Sequence, residues 1–128
     1  MDMQSATADT ELPGWESPGA FWMTRGLWEV NTTWVSEFAD DVTIVDVRGA
    51  DEYTGPLGHI RGSELVPLHV LGATALQRLD RSKPIVTVCR SGGRSLSAAG
   101  ILDGMGFERV ASMAGGMMAW NNSNLPVE

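Results

Sequence analysis

The sequence predicts an α/β fold built on parallel strands, and three features carry that reading. Two short runs rich in β-branched residues, Val42 to Val47 and Ile85 to Val88, have the length and apolarity of strands buried on both faces of a sheet. The second passes directly through Cys89 into a glycine-containing loop, Arg90 to Arg94. A helix-like segment then begins at Ser95, with Leu96, Ala99, Ile101, Leu102 and Met105 as its apolar members. The chain has 128 residues, 43% of them hydrophobic, which suffices for one core but not for two full domains.

Taken in order, residues 1–26 read as an N-terminal extension whose first ten or so residues have the composition of a mobile tail. Trp15, Phe21 and Trp22 follow among prolines and glycines. Such aromatics either fold back over a sheet edge or helix face, or offer a contact to a protein partner. The domain proper is assigned to residues 27–125. Leu27 to Val30 reads as a short strand, and Asn31 or Thr32 can cap a helix carrying Trp34, Val35 and Phe38. Asp40 and Asp41 end that helix.

Val42 to Val47 reads as a central strand, and Asp46 and Arg48 fall at its carboxyl end, where open α/β sheets bind ligands. Arg48 is expected to pair with Glu52, four residues on, in an exposed ion pair worth about 0–1 kcal/mol that fixes the loop. Gly55 to Gly58 leads to His59. Ser63 to Val66 is read as a further strand and Pro67 or Leu68 as the start of a helix with Val70, Leu71, Leu76 and Leu79 on its apolar side. After the cysteine loop and its helix, Gly104 and Gly106 punctuate the chain and Val110 to Met113 forms a last inner strand. Gly115-Gly116 permits a tight turn into a closing helix with Met117, Met118 and Trp120. That stripe is core, with Met117 or Trp120 at the pocket edge, and residues 126–128 form a short tail.

The chemistry is expected at Cys89, the only cysteine. Only a thiolate is a good nucleophile, and an ordinary cysteine has a pKa of about 8.5. Helix N-termini and nearby cations lower that value. Arg90 and Arg94 supply cations, while Gly92 and Gly93 let successive backbone N–H groups turn toward one point. The simpler reading of Cys89 is a small buried hydrophobe beside a strand-to-helix turn. The combination of thiol, two arginines, two glycines and strand-loop-helix order favours an anion cradle.

Sixteen acidic residues against nine basic ones give a net charge of −7, which argues against a nucleic-acid surface. A single thiol excludes an internal disulfide, a zinc site of several thiolates and an internal resolving cysteine. No long apolar run suggests a membrane span, and no basic-then-apolar N-terminus suggests secretion. The expected setting is the cytoplasm, with no cofactor and no metal.

CRSGGRS at Cys89 to Ser95, followed by MGFERVASMAGGMMAW at Met105 to Trp120, resembles the active-site half of a rhodanese domain. VDVRGADEY at Val45 to Tyr53 and GHIRGSELVPL at Gly58 to Leu68 resemble that family's first half, in the expected order. The resemblance implies a rhodanese-like three-layer α/β/α sandwich with a central, mainly parallel sheet. It also implies a sulfurtransferase in which Cys89 takes sulfur from a small anionic donor such as thiosulfate and passes it, as a persulfide, to a thiol or cyanide acceptor. Arg90, Ser91, Gly92, Gly93, Arg94 and Ser95 would bind substrate, Asp46 and Arg48 would support the site, and His59 would belong to a structural turn. Arg61 departs from the family's usual proline in GHIPGA.

Cysteine phosphatases are the nearest rival, and in them five residues separate thiolate and arginine. Here four do, Arg90 to Gly93, which suits a persulfide sulfur better than a phosphoryl group. A partner-binding or sulfur-relay module is the alternative from another class, motivated by the N-terminal aromatics.

Overall fold

The computed structural model describes residues 19–128. Six strands form one sheet in the order β1-β2-β6-β5-β3-β4. They are β1 (Phe21–Thr24), β2 (Leu27–Val30), β3 (Thr43–Asp46), β4 (Glu64–Leu65), β5 (Ile85–Val88) and β6 (Val110–Met113). All neighbours run parallel except the β1–β2 hairpin. Helices α1 (Thr32–Phe38), α2 (Ala50–Tyr53), α3 (Leu68–Arg78), α4 (Gly93–Gly104) and α5 (Gly116–Asn122) connect them, with a short 3-10 turn at Ala39–Asp41.

Strand alternation divides the core in two. On one face Ile44, Val86, Val88, Ala111 and Met113 meet Trp34 and Val35 of α1 and Met117 and Trp120 of α5. On the other, Val45, Ile85 and Val110 meet Leu71 and Ala75 of α3 and Ala98, Ala99 and Leu102 of α4. This is the three-layer α/β/α sandwich. The α1 start follows from Asn31, whose side-chain oxygen accepts the Trp34 N–H at 2.8 Å and satisfies one orphan donor of the first turn.

The sheet begins at Phe21, ahead of Leu27, where the sequence reading starts the domain. Arg25 and Gly26, both at positive φ, close a two-residue turn that pairs Phe21 with Val30 and Thr24 with Leu27. Phe21 is therefore core, packed edge-on against Trp28 and Trp34. Trp22 is partly exposed and its indole N–H donates to Glu29. Trp15 lies outside the described residues. At the other terminus Glu128 and His59 exchange backbone hydrogen bonds of 2.9 and 3.1 Å, tying the last residues to the turn after Gly58. Three apolar assignments are corrected, the first being Met118, which is exposed on α5 rather than core. Leu76 and Ile101 face solvent, because Leu71, Ala75 and Leu79 define the inner stripe of α3 and Ala98, Ala99 and Leu102 that of α4.

Candidate active site

Parallel strands end together, so the carboxyl ends of β3 and β5 bring residues distant in sequence to one rim. Their Asp46 and Val88 are paired in register. Beyond β5 the chain turns sharply through Gly92, at φ 114°, and enters α4 at Gly93. Cys89 lies under this turn. Its Sγ accepts hydrogen bonds from the Gly92 N–H at 3.1 Å and the Ser95 N–H at 3.3 Å, and lies 3.4 Å from Ser95 Oγ.

A second glycine turn holds the loop from behind. Met117 N–H donates to the Cys89 carbonyl and Met118 N–H to that of Arg90, at 2.9 and 3.0 Å. Gly116 makes this approach possible, since a Cβ there would collide with the Cys89 oxygen and the Arg90 carbonyl group.

These contacts set the acidity of the thiol. Burial pushes it up, but the Ser95 hydroxyl and the Ser95, Gly92 and Ser91 amides favour the anion more strongly, so Cys89 lies below the ordinary thiol range. The sequence reading assigned that task to Arg90 and Arg94. Arg94 remains coulombically coupled to Cys89, while its guanidinium makes a two-pronged ion pair with Glu52 at 2.8 Å on each prong. Arg94 and the Gly49 amide hold the Glu52 carboxyl down at about 2, and Glu52 in turn raises Arg94. Arg90 is exposed and forms no ion pair with any described residue. It lines the depression at the rim beside Pro56 and Leu57.

The expected Arg48–Glu52 side-chain pair does not form. Arg48 turns back to Asp46, donating through Nε and a terminal nitrogen at 2.9 and 2.8 Å, with both residues 1% exposed. It also donates to the backbone carbonyls of Glu52 and Gly58. The pair is thus a buried clasp joining the β3 end to α2 and to the turn before His59. That histidine stacks on Tyr53 at 3.8 Å, with Nδ1 3.0 Å from the Tyr53 oxygen.

A second group under the loop was not anticipated from sequence. Thr87 of β5 and Ser112 of β6 are register partners, and both are fully buried. Thr87 donates its hydroxyl to the Ser95 carbonyl at 2.8 Å, and Ser112 Oγ lies 2.7 Å from Ser95 Oγ. The available signal was a lone hydroxyl residue inside each of two apolar strands, IVTV and VASM.

Access to the thiol is narrow. Cys89 is 1% exposed, and the depression at the rim, about 240 Å³, is lined by Arg48, Glu52, Pro56, Leu57 and Arg90. A larger one, about 480 Å³, lies at the opposite end of β5 around Asp80 and Arg81, away from the thiol. In the smaller one an exposed cation and an apolar wall adjoin the cysteine loop.

A sharp loop between a parallel strand and a helix, presenting amides to one cysteine, defines a class of thiolate proteins. The chain belongs to the rhodanese-like domain family, which matches residues 31–123. It is 32% identical to a sulfurtransferase of Allochromatium vinosum, over 69% of this chain and 79% of that one. It is 38% identical to the thiosulfate sulfurtransferase GlpE of Pseudoalteromonas translucida, over 63% of this chain and 74% of that one. Among solved structures, a rhodanese-related protein of Thermoplasma volcanium superposes with TM-score 0.70 at 26% identity, over 77% and 94% of the two chains. A Rhodopseudomonas palustris protein of unknown function, described as a "Possible Tyrosine Phosphatase", superposes with TM-score 0.69 at 29% identity, over 78% and 83%. The fold alone does not decide the chemistry, which has to be argued from the loop.

Proposed function

We propose that this protein is a thiosulfate-type sulfurtransferase working through a Cys89 persulfide. The observation that carries the reading is the convergence of the Gly92 and Ser95 amides and the Ser95 hydroxyl on one sulfur. The Cys89 thiolate attacks the outer sulfur of thiosulfate. An S–S bond forms to Cys89, the sulfur–sulfur bond of the donor breaks, and sulfite leaves with the bonding electron pair. Cyanide or an external thiolate then attacks the outer sulfur, and Cys89 leaves as thiolate. The contacts that lower the Cys89 thiol favour its ionised form, which needs no base to attack.

Residue roles follow from position. Arg90 attracts the donor's charge at the mouth, and Arg94, braced by Glu52, fixes the far side of the loop. The Gly92 and Ser95 amides hold the inner sulfur. The Gly93 and Arg94 amides, first-turn donors with no intrahelical acceptor, suit the outer sulfur of the persulfide. Ser91 adds a third amide to the thiolate. Asp46 and Arg48 support the site by clasping the rim rather than by touching sulfur.

The four-residue gap and the cramped, amide-lined loop favour a single sulfur over a phosphoryl group. A partner-binding role for the N-terminal aromatics loses Phe21 to the core. The test is intact-mass measurement after mixing protein with thiosulfate alone: one sulfur atom gained, and none in Cys89→Ser. An unchanged mass with any sulfane donor, or hydrolysis of an aryl phosphate by Cys89, overturns the proposal.

A further inference from the structure

The mechanism above leaves two fully buried hydroxyls unused, Thr87 and Ser112, both behind Ser95. Ser95 Oγ has three neighbours within reach: Cys89 Sγ at 3.4 Å, the Gly92 carbonyl at 3.2 Å and Ser112 Oγ at 2.7 Å. A hydroxyl has one proton and two lone pairs, so these three contacts saturate it. Ser112 Oγ, by contrast, has Ser95 Oγ as its one hydrogen-bond partner among the described residues. A buried hydroxyl that kept its proton unpaired would be costly, so Ser112 is the donor to Ser95.

With Ser112 donating, the Ser95 proton is left with two acceptors. While Cys89 is a thiol, its S–H points at Ser95 Oγ and the Ser95 proton goes to the Gly92 carbonyl. When Cys89 is a thiolate, the Ser95 proton turns to the sulfur. The Ser112 bond persists in both arrangements. Were Ser112 an acceptor instead, the Ser95 proton would be drawn away from the sulfur toward β6.

We propose that Ser112 is a positioning residue for Cys89: its hydroxyl, donated to Ser95 Oγ, keeps the Ser95 proton available to the cysteine sulfur. Thr87, its register partner, completes the arrangement by holding the Ser95 carbonyl, so backbone and side chain of Ser95 are fixed from adjacent strand positions. The inference deepens the sulfurtransferase reading by taking Cys89 as the reacting atom. Ser112 acts without charge. The charged groups at the loop are its own Arg90 and Arg94, Glu52 from α2, and the Asp46–Arg48 pair at the end of β3, while β6 and α5 carry none.

The test titrates the single thiol by thiolate absorbance, with Cys89→Ser as the blank, and needs no sulfur donor. Ser112→Ala is expected to lower the ionisation constant of Cys89 about threefold, because Ser95 Oγ, no longer held and polarised by the Ser112 donor, becomes a weaker donor to the sulfur. In a Ser95→Ala background the same substitution should change nothing, since the relay is already cut. Ser112→Thr, which keeps the hydroxyl, should titrate as the parent does. An equal shift with and without Ser95, or no shift in either, overturns the proposal. Should the mass test fail while this cycle holds, sulfur transfer falls and the positioning role of Ser112 stands.

Discussion

The two sides of the sheet are built for different ends. The side facing α1 and α5 is dry, with Phe21, Trp34, Met113, Met117 and Trp120 packed around Val86 and Val88. Its counterpart under α4 interrupts the apolar packing of Val45, Ile85 and Leu102 with Thr87, Ser95 and Ser112, grouped next to Cys89. One layer's interior is apolar, while the other accepts hydroxyls that meet at Ser95, Ser112 at its hydroxyl and Thr87 at its carbonyl. The difference teaches that the reactive end of α4 is positioned by polar contacts set into an otherwise apolar layer.

Substitutions on each side should separate these two functions. Trp34→Ala, on the dry side, is expected to cost about 3–5 kcal/mol of unfolding free energy, while the folded fraction keeps the parent's rate of cysteine alkylation. Denaturant unfolding beside alkylation kinetics reads both quantities, and a slowed folded enzyme would show the layers to be coupled. Asp46→Ala, at the rim, leaves Arg48 buried and unpaired. A loss of about 3–5 kcal/mol is expected, marginally below Trp34→Ala because Arg48 retains its two carbonyl acceptors. Under the α4 side, Ser95→Ala should cost only about 1–3 kcal/mol. The pH–rate profile of alkylation should nevertheless move to higher pH, because the hydroxyl that favours the anion is gone. A profile that stays in place would remove Ser95 from the chemistry.

The smallest expected effect is at the Arg94–Glu52 pair. Both side chains are about one-third exposed or more, so Arg94→Ala should change stability by about 0–1 kcal/mol. Glu52 gives this pair a defined acid limb. Its carboxyl is held at about 2 in the folded protein against 4.5 ordinarily. A depressed carboxyl contributes stability that is fully present above its unfolded value and is lost as pH falls from 4.5 through about 2. Comparing acid unfolding of the parent with Arg94→Ala should show a smaller limb in the variant, where the Gly49 amide still acts on Glu52, and identical curves would mean the pair holds nothing.

Much of this was legible in the sequence, for reasons that also explain the gaps. The β5 strand, the cysteine loop and the start of α1 are written locally, in a β-branched run, two glycines and the Asn31 cap. The β1 strand was overlooked because Arg25 takes φ 54° beside Gly26, an unusual conformation for arginine, although the two-residue turn between aromatic stretches was a usable sign. Arg48 and Glu52 misled because four-residue spacing pairs side chains only within a helix. Helix α2 begins at Ala50, so Arg48 precedes it and folds back onto Asp46. The true partner of Glu52 lies 42 residues away, where no local pattern could point to it. Ser112 was passed over for a similar reason, since its meaning appears only when β6 is laid beside β5.

The central claim is that amides and one hydroxyl make the Cys89 sulfur an anion at a pH where ordinary thiols are protonated. The most direct measurement is the rate at which Cys89 is alkylated as a function of pH, on folded protein. The rate should reach half its plateau below the midpoint of a free cysteine measured alongside. A midpoint equal to or above that of the free thiol would show that burial wins over the hydrogen bonds, and would contradict the account.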